Sequence, residues 1–297
     1  MFPTIKTWAS AGIFAGISLI APMSAIAKTQ TPEHYAITSA TEKYDASAVQ
    51  LSYVGLAGGL YSNALGAALA LSKTIDALND APNAQTLAAT RSAWTVARTA
   101  YLATEAFRFY GGPIDGAKTE LRAAGPEIAI STNFRLVEQL ADKGASSAGQ
   151  RKTLASAATA LHNDVAFVLK EWDPIRRTGY AQEFLQLEGS EAMGRILRGL
   201  GTQAAVLAKD TRGDEASAIL TGMHSIWHAQ LNNITAPSIE ALLVKIDANA
   251  AAAVSSALAT AQTQANAKDP ALPATLQKLA EAIANAGTHL GVAISIN

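Results

Sequence analysis

The sequence predicts an all-α protein built as two antiparallel, four-helix-bundle-like domains packed together. Three observations lead there. Alanine is abundant along the whole chain. β-Branched runs are short, and no stretch sustains the period-two alternation of a half-buried strand. Glycine and proline cut the chain into pieces of helical length, and the number and length of those pieces suit two bundles of about four helices each.

The elements follow in order. Residues 1–27 read as a cleavable signal peptide: Lys6 is a thin positive start, Ala9 to Ile20 an apolar run too short to anchor in a bilayer, and Ala25-Ile26-Ala27 a small-x-small site before Lys28. A first helix is expected from Thr41 to Leu78, with a bend near Gly58-Gly59, and Tyr35, Tyr44, Tyr53 and Tyr61 recur on one face as a packing stripe. A second runs from Ala84 to Phe109 and is stopped by Gly111-Gly112-Pro113. A short helix is expected at Asn133 to Ala141 and another from Leu154 to Trp172, ended by Asp173-Pro174. Further helices are expected at Ser190 to Lys209, Asp214 to Asn232, Pro237 to Ala267 and Pro273 to Leu290, the last two with proline in the first turn. The domain boundary falls within Gly179 to Gly189, dividing 28–180 from 181–297.

Charge and cysteine content exclude several function classes. With 23 basic and 24 acidic residues the formal net charge is −1, which gives no electrostatic reason to bind nucleic acid or an anionic membrane. There is no cysteine, so disulfides, thiolate zinc sites and lipoprotein attachment are all out of reach. A metal would have to be held by His, Asp, Glu, Tyr or water, a set suited to hard or borderline cations such as iron. No P-loop, dinucleotide fingerprint or Gly-x-Ser-x-Gly elbow is present. No catalytic residue is assigned.

The most informative stretch is Thr104 to Asp115, TEAFRFYGGPID, preceded at helical spacings by Trp94, Ala97, Arg98 and Tyr101. It resembles the signature of the imelysin-like family, which includes insulin-cleaving metallopeptidases and bacterial iron-regulated proteins of the surface or periplasm. Gly199-Leu200-Gly201-Thr202, the stretch with Asp214, Glu215, Ser217 and His224, Pro237 to Leu242, and Leu290 to Asn297 resemble further family segments. The resemblance implies a bacterial, periplasmic or otherwise exported protein. It also implies a cleft between the bundles, with Glu105, Arg108 and Asp115 on one side and Asp214, Glu215, Ser217 and His224 on the other. The chain departs from the metallopeptidases at their Gly-x-His-x-x-Glu motif. Gly116 to Leu154 contains no histidine, and Gly222-Met223-His224 and Gly287-Thr288-His289 continue to Trp227 and Val292 rather than to Glu.

On the residues themselves, Glu105 and Arg108 are three apart, so on a helix they can pair or face one partner. His224 and His228 are four apart on one helical face, the spacing of two imidazoles on one metal, with no Glu between them to serve as a zincin base. The alternative, which spacing alone favours, is two surface or half-buried histidines beside Trp227. His34, His162 and His289 stand alone. The expectation is an exported, non-peptidase member binding a metal (iron by family analogy), a small ligand or an envelope protein partner, with no membrane anchor once the signal is removed. The alternatives are a metallopeptidase with a rearranged metal site and a structural bundle of the envelope.

Overall fold

The structure is a computed structural model that describes residues 44–115 and 126–295. The expected signal peptide with its Ala27/Lys28 site, His34, Tyr35 and the start of the first helix lie outside the described residues. The fold is all-α. Its order is α1 (Ser47–Asp80), α2 (Ala84–Leu102), a 3-10 turn (Glu105–Phe107), α3 (Pro126–Asp142), α4 (Ala148–Glu171), α5 (Tyr180–Leu185) and α6 (Gly189–Lys209). A second 3-10 turn (Gly213–Glu215), α7 (Ala216–His228), a hairpin of β1 (Gln230–Leu231) and β2 (Ile234–Thr235), α8 (Ile239–Val244), α9 (Ala248–Ala267) and α10 (Leu272–His289) follow.

Helix α1 packs against α2 and α4, and α3 against α4; α10 packs against α6 and α9, and α9 also against α7 and α8. Each contact follows from a stripe. On α1, Tyr53, Ala57, Leu60, Tyr61, Ala64, Ala68, Leu71, Ile75 and Leu78 are buried at steps of three and four, so one face lies in the core. Its start carries an aromatic cluster: Tyr53 lies 5.0 Å from both Phe107 and Phe184, and Trp172 lies 5.6 Å from Phe107 and 5.1 Å from Tyr180. Such pairs contribute about 0.5–1.5 kcal/mol each beyond their burial. Helix α2 starts on a reciprocal cap, Asn83 accepting from Thr86 N–H while the Thr86 hydroxyl accepts from Asn83 N–H.

Four expectations need correction. The second helix ends at Leu102, not Phe109, because the Thr104 hydroxyl and amide both bond the Tyr101 carbonyl and tighten the chain. That turn sends Phe107 into the aromatic cluster. The Pro237 to Ala267 segment is two helices, since the Asp247 carboxylate accepts from Ala250 N–H and starts α9 afresh. Pro237 precedes the Ser238 cap instead of entering the first turn, whereas Pro273 does sit there. The stretch to Asn232 leaves the helix at His228 and turns through Asn232 and Asn233, both at positive φ, into the two-residue hairpin. As expected, α1 runs as one helix through Gly58-Gly59, and the missing side chain of Gly59 makes room for Leu231 of the hairpin.

Two other glycines position the Thr104–Asp115 turn. A Cβ on Gly199 of α6 would sit 2.6 Å from the Ala106 carbonyl oxygen and 3.1 Å from that of Arg108. A Cβ on Gly222 of α7 would collide with the Ala103 carbonyl. Backbone therefore meets backbone on both sides of the turn, where only glycine fits. Gly222→Ala is expected to cost at least about 2 kcal/mol in urea unfolding. Gly66→Ala, at an exposed α1 position with nothing within 4 Å, is expected to add about 0.5–1 kcal/mol; equal effects at the two positions would refute the close-packing account.

Candidate functional site

The turn and the α6–α7 connection build one continuous charge lattice. Glu105, at the start of the first 3-10 turn, is 3% exposed. An ionised carboxylate that deep needs a fixed cation. Arg212 supplies it, its Nη1 donating to Glu105 Oε2 at 2.5 Å, and its Nη2 donates to Glu215 Oε2 at 2.6 Å. Arg98 of α2 completes the row, its Nε donating to Glu215 Oε1 at 2.6 Å while its guanidinium lies 5.3 Å from the Phe134 ring centroid. Arg212 reaches this place at φ 53°, a left-handed conformation uncommon for a non-glycine residue, with its N–H bonded to Asp210. Burial pushes the Glu215 carboxyl up, but Arg98 and Arg212 outweigh it and hold it below its ordinary value.

A second group adjoins the first. Arg108 lies 3.4 Å from both Asp115 and Glu127, and Asp115 Oδ2 accepts from the Phe109 N–H at 2.8 Å. Burial raises the Asp115 carboxyl despite Arg108; the Arg108 guanidinium is itself held up, against burial, by Glu127, Asp115 and Glu105. A Glu105–Arg108 pair, one of the two arrangements the spacing allows, is thus replaced. The helix has already ended, Arg108 is extended (ψ 178°), and the two side chains find different partners. Below them Tyr53 and Tyr110 share a hydroxyl–hydroxyl bond of 2.9 Å.

The remaining candidates lie elsewhere. Asp214 is exposed and pairs with Lys268. Ser217 donates to Asn266 at 2.6 Å and accepts from Gln262, fastening α7 to α9. His224 and His228 lie together, ring centroids 4.2 Å apart, with His228 Nδ1 2.7 Å from Glu240 Oε2. Among the described residues no group of three His, Asp or Glu side chains is placed to hold a metal ion. A small gap between α1, α6, α7 and the start of α8 is lined by Val49, Tyr53, Leu56, Ile196, Ile226 and Pro237 among others, and shares Tyr53 with the groups above. Sequence reasoning did not single out Glu127, Glu240 or Ser255. The one usable signal was the position of Glu240 just inside the Ser238-capped helix.

The imelysin family model (Peptidase M75) matches residues 60–128, a span that holds Arg98, Glu105, Arg108 and Asp115 but not Arg212, Glu215 or the histidine pair. No curated protein matches the chain in sequence. Among solved structures, an iron-regulated protein A precursor from Parabacteroides distasonis aligns over 85% of this chain and 95% of its own, with a TM-score of 0.60 and 13% identity.

Two measurements check the lattice. Arg212→Ala leaves Glu105 buried without its cation and is expected to cost about 3 kcal/mol; in a double-mutant cycle with Glu105→Gln most of that loss should disappear, and additive effects would contradict the pairing. Because Glu215 is held below its ordinary value near 4.5, its contribution is complete above that pH and is lost as pH falls through the lowered folded value. The stability gap between wild type and Glu215→Gln should therefore be constant from neutral pH to about pH 5 and close below it.

Proposed function

We propose that this chain is an imelysin-like, exported, non-peptidase binding protein that engages a small ligand or an envelope partner rather than hydrolysing peptide bonds, a reading supported by the family match over residues 60–128 and by the shared fold. One observation carries this reading: Arg98 and Arg212 occupy both oxygens of Glu215 and one of Glu105. Metal-activated hydrolysis needs carboxylates free to ligate a cation or to take a proton from water. Carboxylates clamped by guanidinium groups are poor at either task.

The same donors do not fit an iron centre. A hard cation takes unshared oxygen ligands, and here it would have to displace two arginines at once. Iron binding therefore finds no support in this lattice. Export is supported by the leader-like residues 1–27.

The purified protein is expected to leave an unfolded polypeptide substrate intact, with or without added Zn(II). Fe(II) and Fe(III) titrations are expected to be the same for wild type and Glu105→Gln. Metal-dependent cleavage, or stoichiometric iron binding lost in Glu105→Gln, would sink the proposal. Expressed in a Gram-negative host, the protein should be recovered from the periplasm and begin at Lys28; retention in the cytoplasm with an intact leader would remove the export claim.

A further inference from the structure

The α7–α9 face holds a polar chain unconnected with the arginine lattice. Trp227 Nε1, which can only donate, bonds Ser255 Oγ at 2.9 Å. Ser255 Oγ in turn donates to Glu240 Oε1 at 2.5 Å. The other carboxylate oxygen, Oε2, lies 2.7 Å from His228 Nδ1. A carboxylate only accepts, so the proton between them belongs to Nδ1, and the lone pair of the neutral ring is on Nε2. One turn earlier, His224 lies beside His228, with ring centroids 4.2 Å apart and planes tilted by 46°. Both rings are half-buried and so reachable from solvent.

We infer that His224 and His228 form a two-imidazole site for a borderline divalent transition cation, oriented by Glu240 through His228. Two nitrogens at about 2.0–2.1 Å from one ion sit roughly 3 Å apart, within reach of rings this close. A carboxylate on the far nitrogen of a ligating imidazole fixes its tautomer and raises its basicity. Ser255 and Trp227 hold that carboxylate in turn. Water completes the coordination, since the group supplies two protein ligands rather than three. Nitrogen donors favour Cu(II), then Ni(II) or Zn(II), over Fe(III). The inference uses none of the lattice residues and stands or falls apart from the non-peptidase reading.

The test titrates the full-length mature protein with Cu(II), Ni(II), Zn(II) and Fe(III), under chelator competition. One equivalent of Cu(II) is expected to bind most tightly, with an electron paramagnetic resonance spectrum showing two nitrogen ligands. His224→Ala and His228→Ala should each weaken it at least about tenfold and leave one nitrogen, and Glu240→Gln about tenfold. His162→Ala on α4 should change nothing. Circular dichroism checks folding, and His224→Gln repeats the test if the alanine variant unfolds. Unchanged Cu(II) affinity in the folded His224 variants, a one-nitrogen spectrum of the wild type, or tighter binding of Fe(III) than of Cu(II) would overturn the assignment.

Discussion

Glu105 is a charge taken almost wholly out of water, and much of the local architecture is arranged to answer it. The cost of burying a lone carboxylate runs to several kcal/mol. Arg212 meets that cost, but only by bringing the α6–α7 connection to the turn and holding two successive residues, Arg212 and Gly213, at positive φ. Arg212 then has a second donor to place, and Glu215 takes it. Glu215 has a second oxygen, and Arg98 of α2 takes that. The row of alternating charges ties α2, the Glu105 turn and α7 together in a fixed order. Removal of Arg212 takes the cation from Glu105 and one of two from Glu215, whereas removal of Arg98 still leaves Glu215 paired with Arg212.

The lattice also needs the backbones to be close, and that closeness is set by glycine. Gly199 and Gly222 let α6 and α7 reach the carbonyls of Ala106 and Ala103. Without them the helices would stand off by a methyl group or more, and the guanidinium of Arg212 would lose its short bond to Glu105. The aromatic half of TEAFRFYGGPID works to the same end, with Phe107 in the ring cluster and Tyr110 bonded to Tyr53. Much of the signature is thus spent on holding one turn in place.

This explains what was legible in the sequence. The fold class and the places of α1, α6 and α10 follow from local periodicity and breakers, and each is recovered within a few residues, α1 over its described part. The end of α2 was not legible, because it is decided by Thr104 and by a helix more than a hundred residues away. The split between α8 and α9 was legible in principle, since Asp247 before an alanine run is a cap signal. For the candidate residues, spacing identified the His224–His228 neighbourhood, but it allowed a Glu105–Arg108 pair and could not name Arg212 as the partner of Glu105. The i,i+3 rule presumes a helix, and Arg108 lies beyond the end of one. Glu127 was invisible, because nothing local marks a carboxylate whose partner lies on another element, and the one local mark of Glu240 was its place just inside the Ser238-capped helix.

The two charged regions differ in what they leave unsatisfied, and that difference bears on function. In the lattice both oxygens of Glu215 and one of Glu105 are taken by guanidinium nitrogens, so a ligand there competes with a pair already made. On α7 the hydrogen-bond chain from Trp227 through Ser255 and Glu240 ends on His228 with a ring nitrogen still unused by that chain, beside a second imidazole. A chain of donors that fixes a carboxylate, which then fixes one tautomer, leaves the imidazole prepared for a ligand at little further ordering cost. Rigidity serves the fold in one region. In the other it prepares a nitrogen for an ion.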